Sequence, residues 1–142
     1  MNEREDIQQS LKLFVVLSRA YRSIQDISAK SIKSFGLNPT EFAVLELLFH
    51  RGPQPLQQIG DRILIASGSI TYVVDKLVDK ELVIRKPCEK DRRISYAKLT
   101  DKGNAFMEDI FPQHEEVLHE ALQTLTAEEK DDVIGLLKKL KK

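Results

Sequence analysis

The chain has no tryptophan, one cysteine and an aromatic content of only 6%. So few large rings argue against an aromatic-rich sandwich or a carbohydrate-stacking site. A single cysteine, Cys88, excludes an intrachain disulfide and every multi-cysteine zinc or iron–sulfur site. Net charge is also missing. Lys and Arg together number 22 and so do Asp and Glu, so no chain-wide field advertises a nucleic-acid or membrane partner. Long apolar runs are absent, which leaves no membrane span. The charged start Met1–Asp6 does not resemble a signal peptide. The six glycines are scattered and form no phosphate-cradling loop. With three histidines, no nucleophile–base–orienter set can be assembled. What remains is 142 residues, 42% of them hydrophobic. Those values describe one ordinary globular domain, expected to be cytoplasmic and reduced and to use no cofactor.

The first element runs from about Glu5 to Ser34. Leu13, Leu17, Ala20, Ile24 and Ile27 form one helical stripe beside a second of Ile7, Leu11, Phe14 and Tyr21. The resulting apolar face is wider than a small domain can cover, and a second copy of the chain is the obvious cover. Gly36 ends the helix. Asn38-Pro39-Thr40-Glu41 then reads as an N-cap, a proline at the first helical position and a carboxylate at the third. It opens a short helix that Arg51-Gly52-Pro53-Gln54-Pro55 closes. A second short helix covers about Leu56 to Arg62. After the connection Ile63–Ala66, Ser67 caps a third that reaches about Lys80.

Strand formers follow, from Leu82 to Leu99, around a polar tip at Pro87 to Arg92. Thr100 caps a helix in which Pro112 should introduce a kink or a division. Thr126-Ala127-Glu128-Glu129 is a capping box for the last helix. The fold class is therefore mainly α with a small β-hairpin wing. Three short helices and a hairpin are the layout of a winged helix-turn-helix.

Two places carry candidate chemistry. The third short helix offers a buried stripe of Ile70, Val73, Val74 and Leu77. Its opposite side presents Ser67, Gly68, Ser69, Thr71, Tyr72, Asp75 and Lys76. Small hydroxyl residues near a positive helix end allow close approach to bases and phosphates, although a plain amphipathic helix would look much the same. The hairpin tip is sharper. Between Arg85 and Arg93, the residues Arg85, Lys86, Lys90, Arg92 and Arg93 outweigh Glu89 and Asp91, a local charge of +3 on a neutral chain. A projecting cationic loop suits phosphate neutralisation and an arginine entering a minor groove, and Asp91 can hold an arginine in place. The other reading is a solvated charged turn.

These residues carry a family resemblance over essentially the whole length. Leu37–Leu45, Gly68–Leu77, and Lys90-Asp91-Arg92-Arg93 followed by Leu99-Thr100-Asp101-Lys102-Gly103 resemble the MarR family of bacterial transcriptional regulators. The resemblance implies a single domain over 1–142, with a winged helix-turn-helix DNA-binding lobe at 37–99 and a helical dimerisation region at 5–35 and 101–142. It also implies an obligate homodimer that binds a palindromic operator in double-stranded DNA. The third short helix then lies in the major groove and the wing in the minor groove. By position, Arg93 looks like the inserted wing arginine and Asp91 like its partner. With Lys90 and Arg92, and with Ser67, Ser69, Thr71, Tyr72 and Lys76 on the helix, these form the expected DNA-binding set. By analogy, Phe14, Tyr21 and Phe42 are candidates to line a site for a small aromatic effector, against the plainer reading that they are core. The segment Ser67–Leu77 and the wing Arg85–Cys88 look like the branch that responds to quinones and phenolic compounds.

One departure stands out. The family usually has glycine after the recognition helix, where this chain has Glu81. In a left-handed cap Glu costs on the order of 1 kcal/mol more than Gly. Either the helix ends differently or that strain is accepted.

Other readings carry less. His114 and His119 are five apart, about 140° around a helix, and so cannot share one zinc; an interface or surface position is expected for both. Cys88, flanked by Lys86 and Lys90, reads as a free thiol on the wing rather than an oxidant sensor. An enzyme, or a metal- or redox-sensing one, is not expected. The competing function is a dimeric winged-helix adaptor that binds proteins and not DNA.

Overall fold

The computed structural model describes residues 1–63 and 67–141; at the start of the fourth helix, side chains are described from Ser69 onward. The chain order is α1 (Glu3–Ser34), α2 (Pro39–Arg51), β1 (Gln54–Pro55), α3 (Leu56–Arg62), α4 (Ser67–Asp79), β2 (Val83–Pro87), β3 (Ser95–Leu99), α5 (Asp101–Leu122) and α6 (Ala127–Leu140). These form two compact units, one of residues 1–28 with 115–142 and the other of residues 29–114.

The second unit has the winged helix-turn-helix architecture that the sequence predicts, with one addition. Gln54 and Pro55 are not merely part of a helix-breaking loop. They pair antiparallel with Ala97 and Tyr96, so the sheet has three strands in the order β1–β3–β2. Proline is tolerated there because the strand is an edge. The hairpin itself runs in register from Val83 opposite Leu99 to Pro87 opposite Ser95. Leu45, Ile59, Ile70, Val74, Leu77 and Val83 are fully buried, so α2, α3, α4 and the wing share one core. The apolar stripe of α4 meets that core as its spacing predicts. Of the connection expected at Ile63–Ala66, residues 64–66 lie outside the described residues.

Polar contacts around the buried Glu41 hold the C-terminal end of α4. The capping box at α2 forms as read: Glu41 N–H donates to Asn38 Oδ1 at 2.8 Å and Asn38 N–H donates to Glu41 Oε1 at 3.0 Å. The other Glu41 oxygen takes Lys80 Nζ at 2.9 Å, and Lys80 also donates to the Gly36 carbonyl. A carboxylate 4% exposed is tolerable because both oxygens are used and one faces a cation. Beyond Lys80 the helix closes in a Schellman pattern, with Glu81 N–H to Val78 O and Leu82 N–H to Leu77 O. Glu81 holds φ at 65°, so the strain is accepted. Its carbonyl receives the Thr100 hydroxyl at 2.6 Å, and Thr100 Oγ1 in turn caps α5 by accepting Gly103 N–H at 2.9 Å. Gly103 is required by contact rather than by dihedral, since a Cβ there would run into the Leu82 carbonyl oxygen.

Of the kink or division expected at Pro112, the division does not occur: α5 is continuous from Asp101 to Leu122, and Gln113 donates its side-chain amide to the Asp109 carbonyl at 3.1 Å. One expectation changes. His114 is not a surface group. It is buried, hydrogen-bonded to Ser31 Oγ at 3.0 Å and packed on the Phe42 ring at 4.7 Å. Helical spacing allowed this, because Phe106, Ile110 and His114 lie on one side of α5. Burial pushes the His114 pKa down, partly opposed by the charge of Glu46.

In the first unit, the wide apolar face of α1 is exposed in the single chain. Leu11, Phe14 and Tyr21 are 62%, 68% and 65% accessible, and no residue of α6 is buried.

Three outcomes follow from these contacts. Glu81→Gly relieves the positive φ and loses only an exposed contact to Lys102, so it should stabilise by up to about 1 kcal/mol; a lower melting temperature would contradict this. Gly103→Ala, which helix propensity alone would favour, should destabilise by about 1–3 kcal/mol by forcing α5 off Leu82. His114 titrates with a folded pKa below its unfolded value of 6.5. The unfolded chain therefore protonates first, and stability drops as pH falls through that range. In melting curves between about pH 8 and pH 5, His114→Gln should show a smaller acid-induced drop than the native chain; an equal drop would contradict it.

Candidate nucleic-acid interface

The exposed face of α4 carries Ser69, Thr71, Tyr72, Asp75 and Lys76, while Ile70, Val73, Val74 and Leu77 point inward. Tyr72 is 61% accessible and Lys76 Nζ lies 5.0 Å from its ring centroid, a cation–π contact that steadies both side chains. The Ser67 side chain, expected at the helix start, lies outside the described residues.

The wing tip is built around one carboxylate. Cys88 N–H donates to Ile94 O at 2.8 Å and Ile94 N–H to Asp91 O at 3.0 Å, folding residues 88–94 into a compact turn. Within it Arg93 forks onto Asp91, Nε to Oδ1 at 3.0 Å and Nη2 to Oδ2 at 3.1 Å, and its own N–H donates to Oδ1. Those bonds hold the Asp91 carboxyl below its ordinary pKa and push the guanidinium above its own. Arg93 is still 89% accessible at the side chain, so its direction is set while its outer face stays open. Lys90 and Arg92 are exposed beside it. The thiol of Cys88 is half-buried in a shallow depression with Lys86, Lys90, Tyr96 and Lys98.

Between wing and helices lies an open cleft of about 530 Å³, lined by Gln57, Gln58, Thr71, Arg85, Arg93 and Tyr96 among others. The glutamines, Tyr96 and the contact of Arg85 with α4 were not read from the sequence. Arg85 had a usable signal. It lies two residues after Val83 on the same strand face, and Val83 is fully buried, so strand alternation turns Arg85 toward α4. There its Nη2 meets Asp75 Oδ1 at 2.7 Å and the Thr71 carbonyl at 3.2 Å.

The three candidate effector residues separate. Phe14 and Tyr21 are exposed on α1 in the first unit. Phe42 is in the core of the second, 4% accessible, with Phe111 stacked at 6.5 Å and His114 against it. Among the described residues, no helix is long and apolar enough to cross a membrane.

Comparison with known proteins fits this geometry. The MarR family model matches residues 37–95, the span from the α2 cap to the returning wing strand. The chain is 59% identical over 133 residues to the HTH-type transcriptional regulator MhqR of Bacillus subtilis, covering 94% of this chain and 92% of that one. It is 47% identical over 135 residues to the uncharacterized HTH-type transcriptional regulator YkoM of the same organism, covering 95% and 88%. In fold it is similar to a mutant MarR from E. coli crystallised with operator DNA, with a TM-score of 0.81, 22% identity and 99% of both chains covered. The chain belongs to the MarR family, a family of transcriptional regulators.

Proposed function

We propose that this protein is a homodimeric repressor that binds a palindromic DNA operator and is released by a small molecule of the phenolic or quinone class or by an oxidative signal. The observation that carries the DNA-binding part is the Asp91–Arg93 fork, which aims an otherwise open guanidinium from a projecting loop of local charge +3 on a neutral chain. An arginine already oriented loses less side-chain entropy when it enters a narrow minor groove. Lys90 and Arg92 neutralise flanking phosphates. Ser69, Thr71, Tyr72 and Lys76 face the major groove, with Ser67 at the helix start.

Dimerisation through 5–35 and 101–142 would cover the exposed stripe of Leu11, Phe14 and Tyr21. Two-fold symmetry then sets the two α4 helices about 34 Å apart, or a small multiple of that. An effector acts by preferring another spacing and shifting the population toward it. Phe14 and Tyr21 are the candidate lining, since Phe42 is occupied in the core. The phenolic or quinone class rests on the resemblance of Ser67–Leu77 and the wing Arg85–Cys88 to the branch that answers such compounds.

Duplexes selected from random DNA by the native protein give the operator, and its affinity should fall steeply as salt rises. A protein with no salt-dependent binding to any duplex would instead be an adaptor. Arg93→Ala should lower operator affinity by about 1–3 kcal/mol, read by fluorescence anisotropy. Unchanged affinity would take the wing out of the mechanism. Release on adding phenols or quinones tests the signal.

A further inference from the structure

The face that α4 turns toward DNA carries an acid, Asp75, where a negative charge opposes phosphates. Its partner explains why. Arg85 leaves β2 on the face turned toward α4, and one guanidinium nitrogen bridges two α4 positions four residues apart, the Thr71 carbonyl and the Asp75 carboxylate. The carbonyl of Thr71 points along the helix toward residue 75, so the two acceptors lie side by side and hold that nitrogen by two bonds at one level of α4. The same strand pairs with β3, Arg85 opposite Ala97, and β3 continues from the tip that holds Arg93. A tilt of the wing relative to α4 would break one or both Arg85 bonds.

We propose that Arg85 and Asp75 are a positioning pair that sets the angle between the wing and the reading helix, and hence the register between the minor-groove arginine and the major-groove face. The proposal rests on the DNA-binding reading above. Neither residue is assigned to a base or a phosphate: Arg85 spends its charge on Asp75, and Asp75 spends its own on Arg85. An exposed ion pair of this kind adds little to global stability, so its effect appears in binding and not in folding.

The test is a double-mutant cycle on the full chain, with the selected operator duplex as probe and the salt dependence of affinity recorded for each variant. Asp75→Asn removes a negative charge from the DNA-facing surface, and electrostatics alone makes it bind more tightly. The positioning role predicts the opposite sign, a loss on the order of tenfold. Arg85→Gln should weaken binding to a similar extent, with an unchanged salt slope. The double variant should be no weaker than the poorer single. Melting temperatures close to that of the native chain, together with a normal salt slope on a random duplex, tie the loss to geometry.

An Asp75→Asn protein that binds as tightly as the native chain, or more tightly, overturns the proposal. So does an Arg85→Gln protein whose salt slope falls by about one, which makes Arg85 a phosphate ligand. Additive losses overturn it as well. If the native chain shows no salt-dependent binding to any duplex, the DNA-binding reading fails first and this one falls with it.

Discussion

The carboxylate of Glu41 holds the molecule's working parts in relation to one another. It lies at the N-terminus of α2, and through its two oxygens it closes that helix's cap and grips Lys80 at the far end of α4. Immediately beyond, Glu81 and Leu82 present their carbonyls to Thr100, whose side chain starts α5. The reading helix is therefore anchored by its C-terminal end to a turn, to a neighbouring helix and to the next helix along. Its N-terminal half and outward face are left to make contacts. An anchor of this kind has to be polar, since apolar packing alone specifies burial but not register along an axis.

Charge is handled economically at the other end of the lobe. A chain with no net charge cannot rely on a broad attractive field, so its cations have to be concentrated and aimed. Both arginines that face the cleft from the wing are paired with acids, Arg93 with Asp91 and Arg85 with Asp75, but the pairings differ in consequence. The first leaves a guanidinium almost wholly in solvent, pointing outward. The second turns its guanidinium back onto a helix. One pair leaves its cation open to solvent and the other ties a strand to a helix.

Much of this was legible in the sequence, and the exceptions have physical causes. The helices, their caps and the buried stripe of α4 follow from local rules, which is why Asn38, Thr100 and Thr126 act where they were expected to. The partnership of Asp91 with Arg93 is also local, two residues apart. The two-residue strand at Gln54–Pro55 was missed because it has no alternation of its own; it exists only because β3 offers it partners. His114 was misplaced because its burial depends on Ser31, 83 residues earlier in the chain. The Arg85–Asp75 bridge was hidden because it joins two elements, although alternation from Val83 turned the arginine toward α4. Glu81 shows that a residue can occupy a glycine's conformation when the surrounding bonds over-determine it.

The sheet ends the way a projecting ribbon must. A hairpin that stands out from its lobe offers unpaired backbone groups along both outer strands, an invitation to zip against any similar ribbon nearby. On one margin, β1 is two residues long and ends in Pro55, preceded by Pro53, so it supplies almost no donors. On the other, β2 closes with Lys86 and Pro87. Both borders are too short, too charged or too poor in N–H groups to seed a continuous stack. A chain that carries such a ribbon is thereby kept from fusing with another copy of it.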